Sequence, residues 1–115
     1  VDQVANRIPE LRVQCNAQSD TLLVGWGSTE GHLHAAANEL NCALAHFNYI
    51  NPLPKNTADV LRAYKRIVVC ELNSGQFAGY LRSKISGVNL LQYNEIMGQP
   101  FAVERIVEYV KGLND

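Results

Sequence analysis

Beyond its first twenty residues the chain alternates short apolar runs with amphipathic stretches. Four runs predict strands: TLLVGW (Thr21 to Trp26), ALAHFNYI (Ala43 to Ile50), RIVVCEL (Arg66 to Leu72) and NLLQY (Asn89 to Tyr93). Leu22 to Val24 and Ile67 to Cys70 are continuously apolar, as strands covered on both faces are. ALAHFNY alternates instead, with Ala45, Phe47 and Tyr49 facing one way and His46 and Asn48 the other. Between these runs, Leu33, Ala36, Ala37 and Leu40 recur at helical spacing, and Phe77, Tyr80, Leu81 and Ile85 do nearly the same. The helix after PKNT takes Asn56 or Thr57 as its N-cap, carries Asp59 in its first turn, and turns Val60, Ala63 and Tyr64 inward. A last helix follows Pro100, with Val103, Ile106, Val107 and Val110 on its buried stripe. Strand and helix in regular alternation predict an α/β fold, a parallel sheet with helices on both faces joined by right-handed crossovers. At the N-terminus, Pro9 interrupts any single helix through Val4, Ile8 and Leu11, so a short helix and then a small strand near Val13 to Cys15 are expected.

Composition narrows the function. With 115 residues, 47% hydrophobic and 18% charged, the chain is expected to be a single domain, residues 1–20 being a lead-in with an edge strand. It begins at Val1 and has none of the zones of a signal peptide, so it reads as a cytoplasmic piece of a longer subunit. No apolar run approaches the roughly 20 residues that span a bilayer, so membrane insertion is not expected. A net charge of -1 without a basic stripe argues against nucleic acid as a partner. Cys15, Cys42 and Cys70 are odd in number and lack C-x-x-C spacing, which points to buried or free thiols rather than a disulfide, zinc or iron–sulfur site.

Between the first predicted strand and helix lies GWGSTEG, a glycine-rich turn of the kind that cradles phosphates. A dinucleotide turn needs G-x-G-x-x-G, but Gly25, Gly27 and Gly31 are spaced one residue too far, and the second strand ends in NYIN without an acidic ribose ligand. Glu30 would compete with a phosphate for the helix N-terminus. No G-K-[ST] follows, and Trp26 occupies the place of the first glycine of a nucleophile elbow around Ser28. The turn therefore reads as structural, with Gly25, Gly27 and Gly31 closing strand onto helix and Ser28 or Thr29 capping. His32 and His34, two apart on a helix, point to nearly opposite sides and cannot share a metal. His46 has no nucleophile or carboxylate at a telling spacing and is assigned no role.

One stretch is more specific than any of these. NYINPLPKNTADVLRAYKRIVVCELNSGQFAGYLRSK, with LLVGWGSTEG upstream and YNEIMGQPF downstream, resembles the C-terminal part of the alpha subunit of 2-oxoacid:ferredoxin oxidoreductases, the 2-oxoglutarate type most closely. The resemblance covers about Thr21 to Val110, and its most telling motif is E-x-N-x-G-Q at Glu71, Asn73, Gly75 and Gln76. W-G-S-T, the N-P-x-P loop at Asn51 to Pro54 and G-x-P-F at Gly98 to Phe101 support it.

The resemblance implies a transketolase C-terminal-like domain: three α/β/α layers on a mixed five-stranded sheet of order 1-3-2-4-5, with the first strand antiparallel. It implies a parent complex that uses thiamine diphosphate, Mg, iron–sulfur clusters and coenzyme A to turn a 2-oxoacid into acyl-CoA (succinyl-CoA for 2-oxoglutarate), CO2 and reduced ferredoxin. It places this segment beside a thiamine-pyrimidine domain of the same subunit and a beta subunit. The chain contains no G-D-G and no cluster-ligating cysteine set, so no cofactor, metal or catalytic residue is expected within it, and the piece alone is expected to be inactive. Glu71, Asn73, Gly75 and Gln76 are the candidate docking loop toward the neighbouring domain or subunit, the alternative being that Asn73 and Gln76 only cap the helix that follows and bond the loop to itself. The alternatives are the equivalent domain of another thiamine enzyme, a transketolase or a dehydrogenase E1 beta chain, and a freestanding flavodoxin-like module for a small ligand.

Overall fold

The structure is a computed structural model that describes residues 9–26, 30–48, 53–72, 76–95 and 103–113. In chain order its elements are β1 (Val13–Cys15), β2 (Thr21–Trp26), α1 (Glu30–Leu40), β3 (Ala43–Phe47), α2 (Thr57–Arg62), β4 (Arg66–Leu72), α3 (Gln76–Lys84), β5 (Leu90–Glu95) and α4 (Val103–Gly112). The strands form one sheet of order β1-β3-β2-β4-β5. β1 runs antiparallel to β3 and every other pairing is parallel. The expected α/β class, order and direction of the first strand are all present. The short helix expected ahead of Pro9, and Pro100 to Phe101 ahead of α4, lie outside the described residues.

Side chains alternate across the sheet into two cores. Leu22, Val24, Ala45, Phe47, Ile67 and Val69 face Leu61 of α2 and Phe77, Ala78 and Leu81 of α3. Leu23, Leu44, Val68 and Cys70 face Leu33, Ala36 and Ala37 of α1 and Ile106, Val107 and Val110 of α4. Each Val or Leu withdrawn from water here contributes about 1.5–3 kcal/mol, which is why β2 and β4 read as unbroken apolar runs.

Local chemistry sets the element ends. Helix α1 stops at Asn41, whose φ of 56° is left-handed. The Cys42 amide then donates to the Ala37 carbonyl (3.0 Å) and the Asn41 amide to that of Asn38 (3.3 Å), a Schellman pair that feeds the chain straight into β3. Asn41 was not singled out from the sequence, although Asn after a helical stripe is a recognised stop. Asn56 does stand at the N-cap of α2, but its side chain makes no cap bond. Its amide instead clamps Leu11, accepting from the Leu11 N–H (2.8 Å) and donating to the Leu11 carbonyl (2.9 Å). Of the expected inward face of α2, Val60 and Tyr64 are half-buried and pack against the core while Ala63 is exposed, and Thr57 and Leu61 are the fully buried residues.

The outer edge of β5 is guarded from both faces. Arg82 of α3 donates to the Leu90 carbonyl (2.8 Å), and the Tyr109 hydroxyl of α4 donates to that of Gln92 (3.0 Å). Two carbonyls of the edge strand are thereby engaged by side chains, which blunts pairing with another chain.

Of the cysteines, Cys42 and Cys70 are buried and Cys15 is exposed. Burial pushes the Cys42 thiol up to about 11, and the Cys70 thiol higher still, with neighbouring Cys42 and Glu71 adding to that rise. At pH 8 a disulfide reagent is therefore expected to modify one thiol per native chain, Cys15, and the remaining two only in denaturant. Rapid native titration of a second thiol would contradict the packing described for Cys42 or Cys70.

Candidate functional site

Parallel β2, β3, β4 and β5 all end on the same side of the sheet, at Trp26, Phe47, Leu72 and Glu95. In an open α/β sheet this carboxyl edge is where loops are free to act. Glu71, the penultimate residue of β4, is 4% exposed. Its two carboxylate oxygens accept from the backbone amides of Phe77 (2.8 Å) and Ala78 (2.9 Å) at the start of α3. The first amides of a helix have no partner within the helix, and the macrodipole adds a fractional positive charge there. A strand residue thus caps a helix six and seven positions ahead.

The clasp has two chemical consequences. Each oxygen accepts one backbone amide, which ties the carboxylate to the start of α3. Because a carboxylate already occupies the N-terminus of α3, an anionic ligand is displaced from it. Of the other expected loop residues, Gln76 opens α3 and is exposed, while Asn73 and Gly75 lie outside the described residues. Glu71 and α3 hold the two ends of that loop.

Beside the clasp lies a run of three aromatic rings. Trp26, the last residue of β2, is 41% exposed. Its ring lies 5.8 Å, centroid to centroid, from Phe77 at a tilt of 39°. Phe77 in turn meets Phe47 edge-on at 5.2 Å. The residue whose amide Glu71 holds is therefore also the residue that supports Trp26.

Of the glycine turn, Gly25 belongs to β2 and is buried, and Gly31 lies in the first turn of α1, exposed. Gly27, Ser28 and Thr29 lie outside the described residues. Glu30 opens α1, with one oxygen accepting from the Gln14 side-chain amide of β1 (3.2 Å) and the other 3.8 Å from His46 Nδ1. His46, expected on the polar side of its strand, is 7% exposed, because β3 has β1 and β2 on its flanks and helices on both faces. With Arg12 and Asn48, these three residues line a cleft of about 270 Å³ at the carboxyl end of β3. His46 is the one chemically capable residue that sequence reasoning passed over, since its carboxylate neighbour comes from another element. His32 and His34 are exposed on α1, as expected. Among the described residues, no three His, Cys, Asp or Glu side chains gather into a metal site. No described helix is long and apolar enough to cross a membrane.

No protein-family model matches the chain. A subunit of a 2-oxoglutarate oxidoreductase from Mycobacterium tuberculosis, KorA, is 34% identical over 110 residues, 90% of this chain and 17% of the relative. The solved 2-oxoglutarate:ferredoxin oxidoreductase of Magnetococcus marinus, determined with 2-oxoglutarate, coenzyme A and succinyl-CoA bound, superimposes with a TM-score of 0.84 at 26% identity. That match covers 96% of this chain and 21% of the other. The chain is a relative of one segment of the 2-oxoglutarate:ferredoxin oxidoreductases. It spans about a fifth or less of the length of the relatives it matches.

The clasp can be tested by removing its charge. Glu71→Gln keeps one acceptor but turns an NH2 toward a backbone amide, so it is expected to cost about 1–3 kcal/mol. That corresponds to a thermal midpoint lower by roughly 5–10 °C. A midpoint within about 1 °C of the unmutated chain would show that the two bonds contribute little.

Proposed function

We propose that this chain is the transketolase C-terminal-like domain of the alpha subunit of a 2-oxoglutarate:ferredoxin oxidoreductase. In this reading it positions its neighbours and performs none of the chemistry itself. The parent complex would decarboxylate 2-oxoglutarate on thiamine diphosphate, pass the electrons through iron–sulfur clusters to ferredoxin, and transfer the succinyl group to coenzyme A. The observation that carries the reading is the similarity to KorA across 90% of the chain, with Glu71 of the telling motif occupied in capping α3. A carboxylate that holds the start of α3 in place supports a docking role, and exposed Gln76 offers hydrogen bonds without a charge to desolvate. The thiamine-pyrimidine domain of the same subunit and a beta subunit are the partners this loop would meet. Both comparisons favour this reading over a transketolase, a dehydrogenase E1 beta chain or a freestanding flavodoxin-like module.

The test uses the complete alpha subunit co-expressed with its beta subunit. Reduction of a viologen dye that requires both 2-oxoglutarate and coenzyme A is expected from the complex and not from the 115-residue chain alone. Reduction by the isolated chain, or a complex indifferent to 2-oxoglutarate, would refute the reading.

A paired substitution probes the docking loop. Asn73→Ala with Gln76→Ala is expected to leave the isolated chain's melting temperature nearly unchanged, because Glu71 already holds the Phe77 and Ala78 amides. Turnover of the complex is expected to fall about tenfold, the equivalent of ~1.4 kcal/mol. A chain that melts several degrees lower, within a complex that still turns over normally, would reduce the pair to local structure.

A further inference from the structure

We propose that the groove between the end of α2 and the turn from α3 into β5 binds a phosphate monoester with a small apolar body. It lies at the amino ends of β4 and β5, the opposite edge of the sheet from the Glu71 clasp, and encloses about 290 Å³. Leu61, Ile67 and Val88 give it apolar surface, and Arg62, Lys65 and Asn89 give it polar groups. No acid is among the described residues that line it. The cleft beside β3 differs in character, because Glu10 and Glu30 stand there among Arg12 and His46 and charge of both signs is already present.

The polar groups are free to receive an anion. Arg62 donates to the Ser86 carbonyl (2.9 Å), which ties its guanidinium to the turn forming the other wall and leaves most of its N–H donors open. Lys65 and Asn89 are exposed, and neither side chain has a partner among the described residues. The dipole of α2 accounts for a cation at Arg62, in the last turn of the helix, but not for Lys65, which lies beyond it. The far wall is preformed: Gly87 has a φ of 79°, a left-handed conformation that glycine adopts without strain and that sets the shape of the turn.

Charge and volume select the ligand. Two cations with no acid between them suit a dianion, the Arg62 fork pairing with phosphate oxygens while Lys65 adds a point charge and Asn89 a further donor. Arg62 and Lys65 come from one short segment, so their charge is concentrated on one side of the groove. That suits a single doubly charged group better than the two separated ends of a dicarboxylate. Pockets for small molecules enclose roughly 300–1,000 Å³, so a groove of about 290 Å³ takes a phosphate with a small body and not a dinucleotide. The apolar surface of Leu61, Ile67 and Val88 favours an ester over inorganic phosphate, because only the ester has apolar area to bury.

The experiment follows acetylation of individual lysines in the complete subunit within its complex, read by mass spectrometry, with phenyl phosphate as the probe. Lys65 is expected to be protected at least fivefold at saturating probe. Lys84, whose ammonium lies over the Tyr80 ring (5.6 Å) and outside the groove, is expected to be labelled at an unchanged rate. Arg62→Gln is expected to need at least tenfold more probe for the same protection. In calorimetric titration Lys65→Gln is expected to weaken binding at least tenfold and Lys84→Gln less than twofold, and added salt is expected to weaken it because the charges are exposed. No protection at about 10 mM phenyl phosphate would overturn the site, as would undiminished protection in Arg62→Gln or equal protection of Lys84. Inorganic phosphate that protects as well as the ester would reduce the groove to a patch of cations, and succinate that does so would overturn the assignment to a phosphate ester. Neither result bears on 2-oxoglutarate-dependent dye reduction, which tests the enzymatic reading alone.

Discussion

A parallel sheet has to be covered on both faces, and nearly everything in this structure follows from that. The crossovers that keep β2, β3, β4 and β5 parallel also lay α2 and α3 on one face and α1 and α4 on the other. Once the faces are closed, chemistry and recognition are confined to the ends of the strands. At the carboxyl end, chain leaving a strand must start a helix whose first amides have no partners within the helix. Glu71 resolves the conflict at β4, the strand of this chain with the longest apolar run, by reaching from the strand to the helix it precedes.

This assignment decides between competing uses of a buried carboxylate. An acid at a strand end in an α/β fold is an obvious candidate for proton transfer or for holding a cation, and either needs at least one oxygen open to the reacting group. At Glu71 each oxygen already accepts a backbone amide, at 2.8 and 2.9 Å, and such charge-assisted bonds contribute about 1.5–3 kcal/mol each to the start of α3. What the clasp yields is a fixed start for α3 and a Phe77 ring held where Trp26 can rest on it.

Much of this was legible in the sequence, and most of the misses share a cause. β2 and β4 were read to their final residues because their apolar runs depend on burial on both sides, a property of the strand's own composition. The order β1-β3-β2-β4-β5 was carried by the resemblance, since periodicity says nothing about which strands are neighbours. Burial of His46 was missed because it depends on β1, an antiparallel strand of three residues that closes the far side of β3. Asn56 was read as a local cap because the local habit of Asn is to cap, yet its partner, Leu11, is 45 residues away. The motif marked Glu71 as important but not what it does, because a bond from a strand end into the following helix leaves no periodic trace. Asn56 and His46 answer to distant segments, which the sequence does not show, whereas the helix stop at Asn41 is local and was legible in principle.

The same carboxyl edge explains why a fold so often used for nucleotides carries no phosphate motif in this chain. Phosphate binding at a helix N-terminus relies on bare amides and an uncompensated dipole. Here α1, α2 and α4 carry Glu30, Asp59 and Glu104 in their first turns, and α3 is capped by Glu71. Each exposed acid of this kind contributes about 0.3–1 kcal/mol to its helix, and together the four leave no uncompensated N-terminus among the described helices to attract an anion. A sheet edge neutralised in this way stabilises its helix starts with the chain's own carboxylates, and the docking proposed for this edge would depend on preformed shape more than on local charge.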